Sequence, residues 1–171
     1  MEMIASFQVD HTRIKPGIYV SRTDEIGEDA ATTFDVRMKR PNVEPAVHPN
    51  ALHTIEHVVA TFLRNDPEWK DRIVYWGPMG CLTGNYLIVK GRPTPQEIHP
   101  LILRAFEHMR DYDGEVPGAT PINCGNALLH DLPTAKYEAA RFAEILRAEP
   151  CFDYPVEERL VFENGSVFYD S

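Results

Sequence analysis

Residues 50–65 constrain the fold most. Leu52, Ile55, Val59, Phe62 and Leu63 recur at helical spacing and form one apolar stripe. Such a stripe has to be buried, so this helix must lie against another layer of the protein. On its flank, within His53-Thr54-Ile55-Glu56-His57, two imidazoles stand four residues apart and project the same way. A pair so placed can grip one metal ion, and Glu56, between the stripe and the histidines, can move protons beside that metal. Asn50 reads as the N-cap. A helix with two solvent-facing histidines would show the same pattern, but the closeness of both to the apolar stripe argues against it.

Other segments supply the second layer. Residues 18–22 and 33–39 read as strands. In the second, Phe34, Val36 and Met38 alternate with Asp35 and Arg37, giving one apolar and one polar face. Residues 72–76 and 85–90 read as two more strands, joined by Gly77-Pro78-Met79-Gly80-Cys81-Leu82-Thr83-Gly84, a tight connection. A second amphipathic helix covers 95–111, with Ile98, Leu101, Ile102, Ala105, Phe106 and Met109 on its apolar side. Asp131 and Pro133 open a third, reaching about Ala148. Asn164-Gly165 between Arg159–Phe162 and Ser166–Tyr169 predicts a hairpin. Strands and helices do not alternate one for one. The expected class is therefore α+β, a mostly antiparallel sheet with helices packed against it, in one domain over residues 1–171.

A chain of 171 residues suits one domain with a proper core. The net charge of −9 repels nucleic acid and anionic membrane surfaces, so neither is an expected partner. No apolar run is long enough to span a membrane, and the first residues lack the pattern of a signal peptide. The three cysteines, Cys81, Cys124 and Cys151, are odd in number and lack CxxC spacing. This predicts free thiols in a reducing cytoplasm.

A catalytic metal centre wants three protein ligands and an open position. In Asn123-Cys124-Gly125, Cys124 is the candidate third ligand, since a thiolate binds metal well and the glycine permits close backbone approach. A small buried hydrophobe would account for Cys124 equally. Cys81 lies in the tight turn, where backbone N–H groups can favour a thiolate, or where it serves only structure. Cys151 has no supporting context. His11 and Arg37 read as surface residues on pattern alone, His48 as a loop residue, and His99, His108 and His130 carry no constellation.

Taken in order, the motifs resemble the S-ribosylhomocysteine lyase (LuxS) family over roughly residues 5 to 147. They are Ser6-Phe7-Gln8-Val9-Asp10-His11, Phe34-Asp35-Val36-Arg37, Pro41-Asn42, His53-Thr54-Ile55-Glu56-His57, Pro78-Met79-Gly80-Cys81 with Thr83-Gly84 and Tyr86-Leu87, Cys124-Gly125, and His130-Asp131-Leu132. The resemblance implies a homodimer with active sites at the subunit interface. It implies one divalent metal per subunit, naturally Fe(II), with Zn or Co able to substitute. His53, His57 and Cys124 match the family's metal ligands, Glu56 and Cys81 its acid–base pair, and Ser6, His11 and Arg37 its substrate-pocket residues. The implied reaction moves a carbonyl along the ribose of S-ribosylhomocysteine and then eliminates homocysteine. It leaves 4,5-dihydroxy-2,3-pentanedione, the precursor of the quorum-sensing signal autoinducer-2 and a by-product of the methyl cycle.

Three features depart from the family pattern: Leu82 replaces Arg or Gln after Cys81, Asn85 replaces an aromatic before Tyr86, and Tyr75-Trp76-Gly77 replaces a more polar approach. Residues 151–171 have no clear family counterpart. Two further readings follow from the residues: a metal-binding paralogue with impaired catalysis, and an HxxEH metallopeptidase. The second normally takes a downstream carboxylate as third ligand.

Overall fold

The computed structural model describes residues 9–155 and the backbone of 160–163 and 166–169. Ser6 and the Asn164-Gly165 turn lie outside the described residues. The chain runs β1 (Gly17–Ile26), β2 (Asp29–Arg37), α1 (Pro49–Asn65), β3 (Ile73–Pro78), β4 (Gly84–Lys90), α2 (Pro95–Asp111), α3 (Leu132–Ala148), β5 (Leu160–Glu163) and β6 (Ser166–Tyr169). The first four strands form one antiparallel sheet in the order β1-β2-β4-β3, and β5 pairs with β6. This is the α+β architecture expected from the sequence.

The first hairpin is longer than hydropathy alone indicates, because the pairing of β1 with β2 runs on into exposed residues such as Asp24 and Glu25. The β2 end is shorter: Met38 and Lys39 leave the ladder and donate their N–H groups to the Thr83 carbonyl.

Side chains alternate across the sheet. Ile18, Phe34, Val36, Leu87 and Val89 form its core face and pack against the three helices. On α1, Leu52, Ile55, Val59 and Leu63 are buried as expected, joined by Ala51, Thr54 and Val58. The N-cap lies two residues before the expected Asn50. Pro49 takes the first helical position, which suits a residue with fixed φ and no N–H. His48 is the cap, accepting the Asn50 N–H at Nδ1. Helix α2 opens on a Thr94/Glu97 capping box, and α3 on Asp131, whose carboxylate accepts from Thr134.

The opposite sheet face overturns one expectation. Asp35 and Arg37 alternate with the core residues, yet neither is a surface residue: they are 3% and 2% exposed. Arg37 forms a two-pronged pair with Asp35, Nε to Oδ1 at 3.0 Å and Nη2 to Oδ2 at 2.6 Å. Alternation assigns a side chain to a face but does not say what covers that face. Removing one partner of a buried pair leaves an uncompensated charge, which costs about 3–5 kcal/mol. Asp35→Ala is therefore expected to lower stability by about that amount in urea denaturation. A loss below about 1 kcal/mol would mean that Arg37 is neutralised by something other than Asp35.

Candidate metal centre and adjoining pocket

Two elements meet at a cluster that could hold a metal ion: α1 and the loop from Tyr112 to Asp131. His53 donates from Nδ1 to the Leu129 carbonyl at 2.7 Å, and His57 from Nδ1 to the Pro117 carbonyl at 2.7 Å. A carbonyl can only accept, so both rings carry their proton on Nδ1 and present bare Nε2 lone pairs. Carbonyl partners of this kind fix the orientation of metal-ligating histidines and raise their basicity. The Cys124 sulfur lies 3.5 Å from His53 Nε2 and accepts the Asn126 N–H at 3.4 Å. Zinc-type bond lengths and tetrahedral angles put two such donors about 3.5 Å apart, so this spacing fits a shared ion.

The loop is shaped for this purpose at Gly118 rather than at Gly125. A side chain at Gly125 would meet nothing within 4 Å, so the close-approach reason inferred for that glycine does not hold. Gly118, by contrast, adopts φ +69° immediately after the carbonyl that holds His57, in the left-handed region that favours glycine.

His130 stands in one of the family motifs, but the sequence assigned it no role. Its donor atom and those of His53, His57 and Cys124 all lie within 4.8 Å of one another. Its ring stacks on His53, with centroids 4.3 Å apart and planes 16° from parallel. Nδ1 lies 3.3 Å from Thr54 Oγ1, whose own proton goes to the Asn50 carbonyl at 2.9 Å while it accepts the Asp131 N–H. That arrangement makes His130 Nδ1 the donor. Its Nε2 is left as a buried acceptor with no partner among the described residues. Burial, then His53 and His57, lower its pKa, so the ring is neutral. A buried bare imidazole nitrogen and three further donors fit a divalent cation of the kind that accepts mixed nitrogen and sulfur ligands. The faint sequence signal for His130 was its place just before the Asp131 helix cap.

Glu56 is half-buried and lines a cavity of about 390 Å³ together with His53, Cys124, Pro78 and Leu82. Cys81 lines a second cavity, of about 560 Å³, with His11, Arg37, Thr83 and Tyr86. The Pro78–Thr83 turn is the wall they share. Backbone bonds hold that turn: Met79 N–H to the Gly84 carbonyl, Leu82 N–H to the Met79 carbonyl, and Val47 N–H to the Leu82 carbonyl, each 2.9 Å. Leu82 pays for the turn with φ +60°, an uncommon conformation for a bulky residue and a place where backbone strain is stored.

The surroundings of Cys81 favour its thiolate form. Partial desolvation pushes its pKa up. The Thr83 hydroxyl and N–H and the Arg37 charge together outweigh that, leaving the thiol below its ordinary value. The Thr83 hydroxyl lies 3.0 Å from the sulfur, and Arg37 Nη1 reaches the same hydroxyl at 2.6 Å and the sulfur at 3.7 Å. His11 is held by its own Nδ1 on the Val9 carbonyl. Asn85, the other departure near this turn, is wholly buried on the core face. Its amide reaches Met38 sulfur and its carbonyl oxygen has no partner.

An α+β domain holding a histidine–cysteine cluster that could take a metal ion, beside a carboxylate and with a polarised thiol on the adjoining turn, has the make-up of a metal-dependent enzyme. The family model for S-ribosylhomocysteinase (LuxS) matches residues 4–149. An S-ribosylhomocysteine lyase of Phocaeicola vulgatus is 59% identical over 142 residues, 83% of this chain and 88% of the relative. That of Porphyromonas gingivalis is 56% identical over 158 residues, 91% of this chain and 99% of the relative. One from Clostridium beijerinckii is 49% identical over 142 residues, 83% and 89% respectively. The chain belongs to the S-ribosylhomocysteinase (LuxS) family and is a carbon–sulfur lyase. No helix among the described residues is long and apolar enough to cross a membrane.

Proposed function

We propose that this chain cleaves S-ribosylhomocysteine to homocysteine and 4,5-dihydroxy-2,3-pentanedione, with His53, His57 and Cys124 holding one divalent metal and Cys81 and Glu56 carrying protons. The convergence of α1 and the Cys124 loop on one donor cluster carries this reading. Fe(II) is the proposed resident ion, with Zn and Co as substitutes that the same donors accept. When bound, the ion supplies Lewis acidity that makes protons beside a sugar carbonyl easier to remove.

The residues then have distinct tasks. Each carbonyl migration removes a proton from the carbon next to the carbonyl and delivers one to the former carbonyl carbon. A hydroxyl proton moves between the oxygens. Two such migrations bring the carbonyl from C1 to C3. Loss of the C4 proton then breaks the C5–S bond and releases homocysteine. Cys81, between Thr83 and Arg37 with its pKa held below the ordinary value, is suited to remove carbon protons. Glu56 is suited to pass protons on the metal side of the turn. Arg37, His11 and Ser6 are proposed to bind the sugar and its hydroxyls.

A homodimer is proposed with the active sites at its interface. Two observations support it. Cys81 and Glu56 open into separate cavities within one protomer. The loop that carries Cys124 also presents Ile122 and Leu128 at 95% and 94% exposure, an apolar surface suited to a covering subunit. The cytoplasm is the proposed location, where free thiols persist.

Product analysis tests the reaction. Protein purified anaerobically and given S-ribosylhomocysteine should yield a vicinal dicarbonyl that an aromatic 1,2-diamine traps as a quinoxaline, in step with released thiol. Thiol release without the dicarbonyl would mean that the carbon–sulfur bond is broken by a different route.

A further inference from the structure

Beyond the residues matched by the family model, the chain folds back over the polar face of the sheet. The Cys151 carbonyl accepts the Ile18 N–H at 2.9 Å, and Cys151 bridges Gly17 in a parallel sense. Three residues later Tyr154 stacks on Tyr19, with centroids 4.6 Å apart and planes 10° from parallel. Tyr19 stands directly opposite Asp35 in the sheet register. From there Tyr154 reaches across and donates its hydroxyl to Asp35 Oδ2 at 3.0 Å.

That bond joins a continuous chain of contacts. Asp35 grips Arg37 through both carboxylate oxygens, and Arg37 Nη1 in turn reaches Thr83 and the Cys81 sulfur. A guanidinium is a rigid fork, so fixing its Nε and Nη2 edge on Asp35 decides where Nη1 points. Tyr154 and Arg37 are the side-chain donors to Asp35 among the described residues. We propose that Tyr154 is a positioning residue, which orients the Asp35–Arg37 pair and through it holds Arg37 Nη1 against the Cys81 sulfur. This rests on the reading of Cys81 as a proton carrier.

The electrostatics agree with the geometry. Burial pushes the Tyr154 pKa far up, and the negative charge of Asp35 adds to the effect, so its hydroxyl remains a donor. The groups facing Cys81 are Arg37 and, behind it, Asp35 from β2, Tyr86 from β4 and Thr83 from its own turn. His11 and Glu44 share its cavity. Of these, Arg37 carries the fixed positive charge.

Docking of the tail has its own requirement at the edge strand. A Cβ added at Gly17 would lie 2.4 Å from the Cys151 carbonyl oxygen and 2.9 Å from Cys151 Cβ, a clash with backbone that cannot yield cheaply. Gly17→Ala should therefore lift the tail; because Gly17 pairs with Arg37 in the sheet and its added Cβ would also meet the Tyr19 hydroxyl at 3.0 Å, Tyr154→Phe is the variant that isolates the hydroxyl itself.

The test is alkylation of metal-loaded protein by iodoacetamide across a pH series, with each cysteine followed separately by peptide mass spectrometry. Tyr154→Phe keeps the ring and removes only the hydroxyl. Its Cys81 profile is expected to move to higher pH, with the rate at neutral pH lowered about threefold, the equivalent of half a pKa unit. Gly17→Ala should shift the same profile in the same direction. Cys81 profiles in both variants that superimpose on the wild type would overturn the proposal. Because alkylation needs no substrate, this outcome is separate from the failure of Cys81 as proton carrier, which would show as turnover retained in Cys81→Ala.

Discussion

Cys124→Ala is expected to empty the metal centre and, with it, to abolish turnover. Bound to a metal, the Cys124 sulfur would be the anionic donor of the proposed set, and its removal would leave only imidazoles around a doubly charged ion. Loss of partners that merely orient a ligand weakens metal binding about 10- to 100-fold, so loss of the thiolate itself should exceed that. Metal content after gel filtration should fall from near one ion per chain to a small fraction of it. Heat stability should fall along with the metal, since an ion bound only by the folded state stabilises it. His53 and His57 would remain clasped by the Leu129 and Pro117 carbonyls, so the fold is expected to persist. Full metal occupancy in Cys124→Ala would shift the third ligand to His130, whose Nε2 is the unpartnered nitrogen beside the cluster.

Cys81→Ala is expected to separate metal binding from chemistry. The sulfur lies in the second cavity, beyond the Pro78–Thr83 wall from the ligand cluster, so metal content should match wild type. A positioned proton carrier contributes about 10²–10⁴-fold, and here it would be used in successive migrations and in the elimination. Homocysteine release should therefore drop by at least that factor. Cys81→Ser should be nearly as inactive, since a hydroxyl beside Arg37 and Thr83 does not ionise near neutral pH as a thiol does. Because Thr83 and Arg37 hold the thiol below its ordinary pKa, wild-type activity should rise with pH through a midpoint lower than that of a free cysteine. A Cys81→Ala enzyme within tenfold of wild type would remove Cys81 from the proton path.

The parts legible in the sequence are those set by local periodicity or by cap chemistry. The stripe of α1, the pair His53 and His57, and the Asp131 cap all depend on residues within a turn of one another. The Asp35–Arg37 pair was visible only as an alternation. One of its hydrogen-bond partners is Tyr154, 119 residues away, which no local pattern indicates. His130 was hidden for the same reason: it joins the cluster through Thr54, 76 residues earlier, and by stacking on His53. The weight placed on Gly125 rather than Gly118 reflects another limit. A residue's neighbour in sequence suggests close approach, but φ and the position of a carbonyl determine it. The departures at Leu82 and Asn85 likewise have structural settings, a strained turn and a buried strand position, that their identities alone did not disclose.

Titration of homocysteine thiol from S-ribosylhomocysteine, with metal content measured on the same samples, bears most directly on the proposed chemistry. Metal-loaded wild type should release one thiol for each substrate consumed, while Glu56→Gln and Cys81→Ala, equally loaded, release almost none. A fully loaded wild-type protein that leaves the substrate intact would contradict the assignment of this site to carbon–sulfur cleavage.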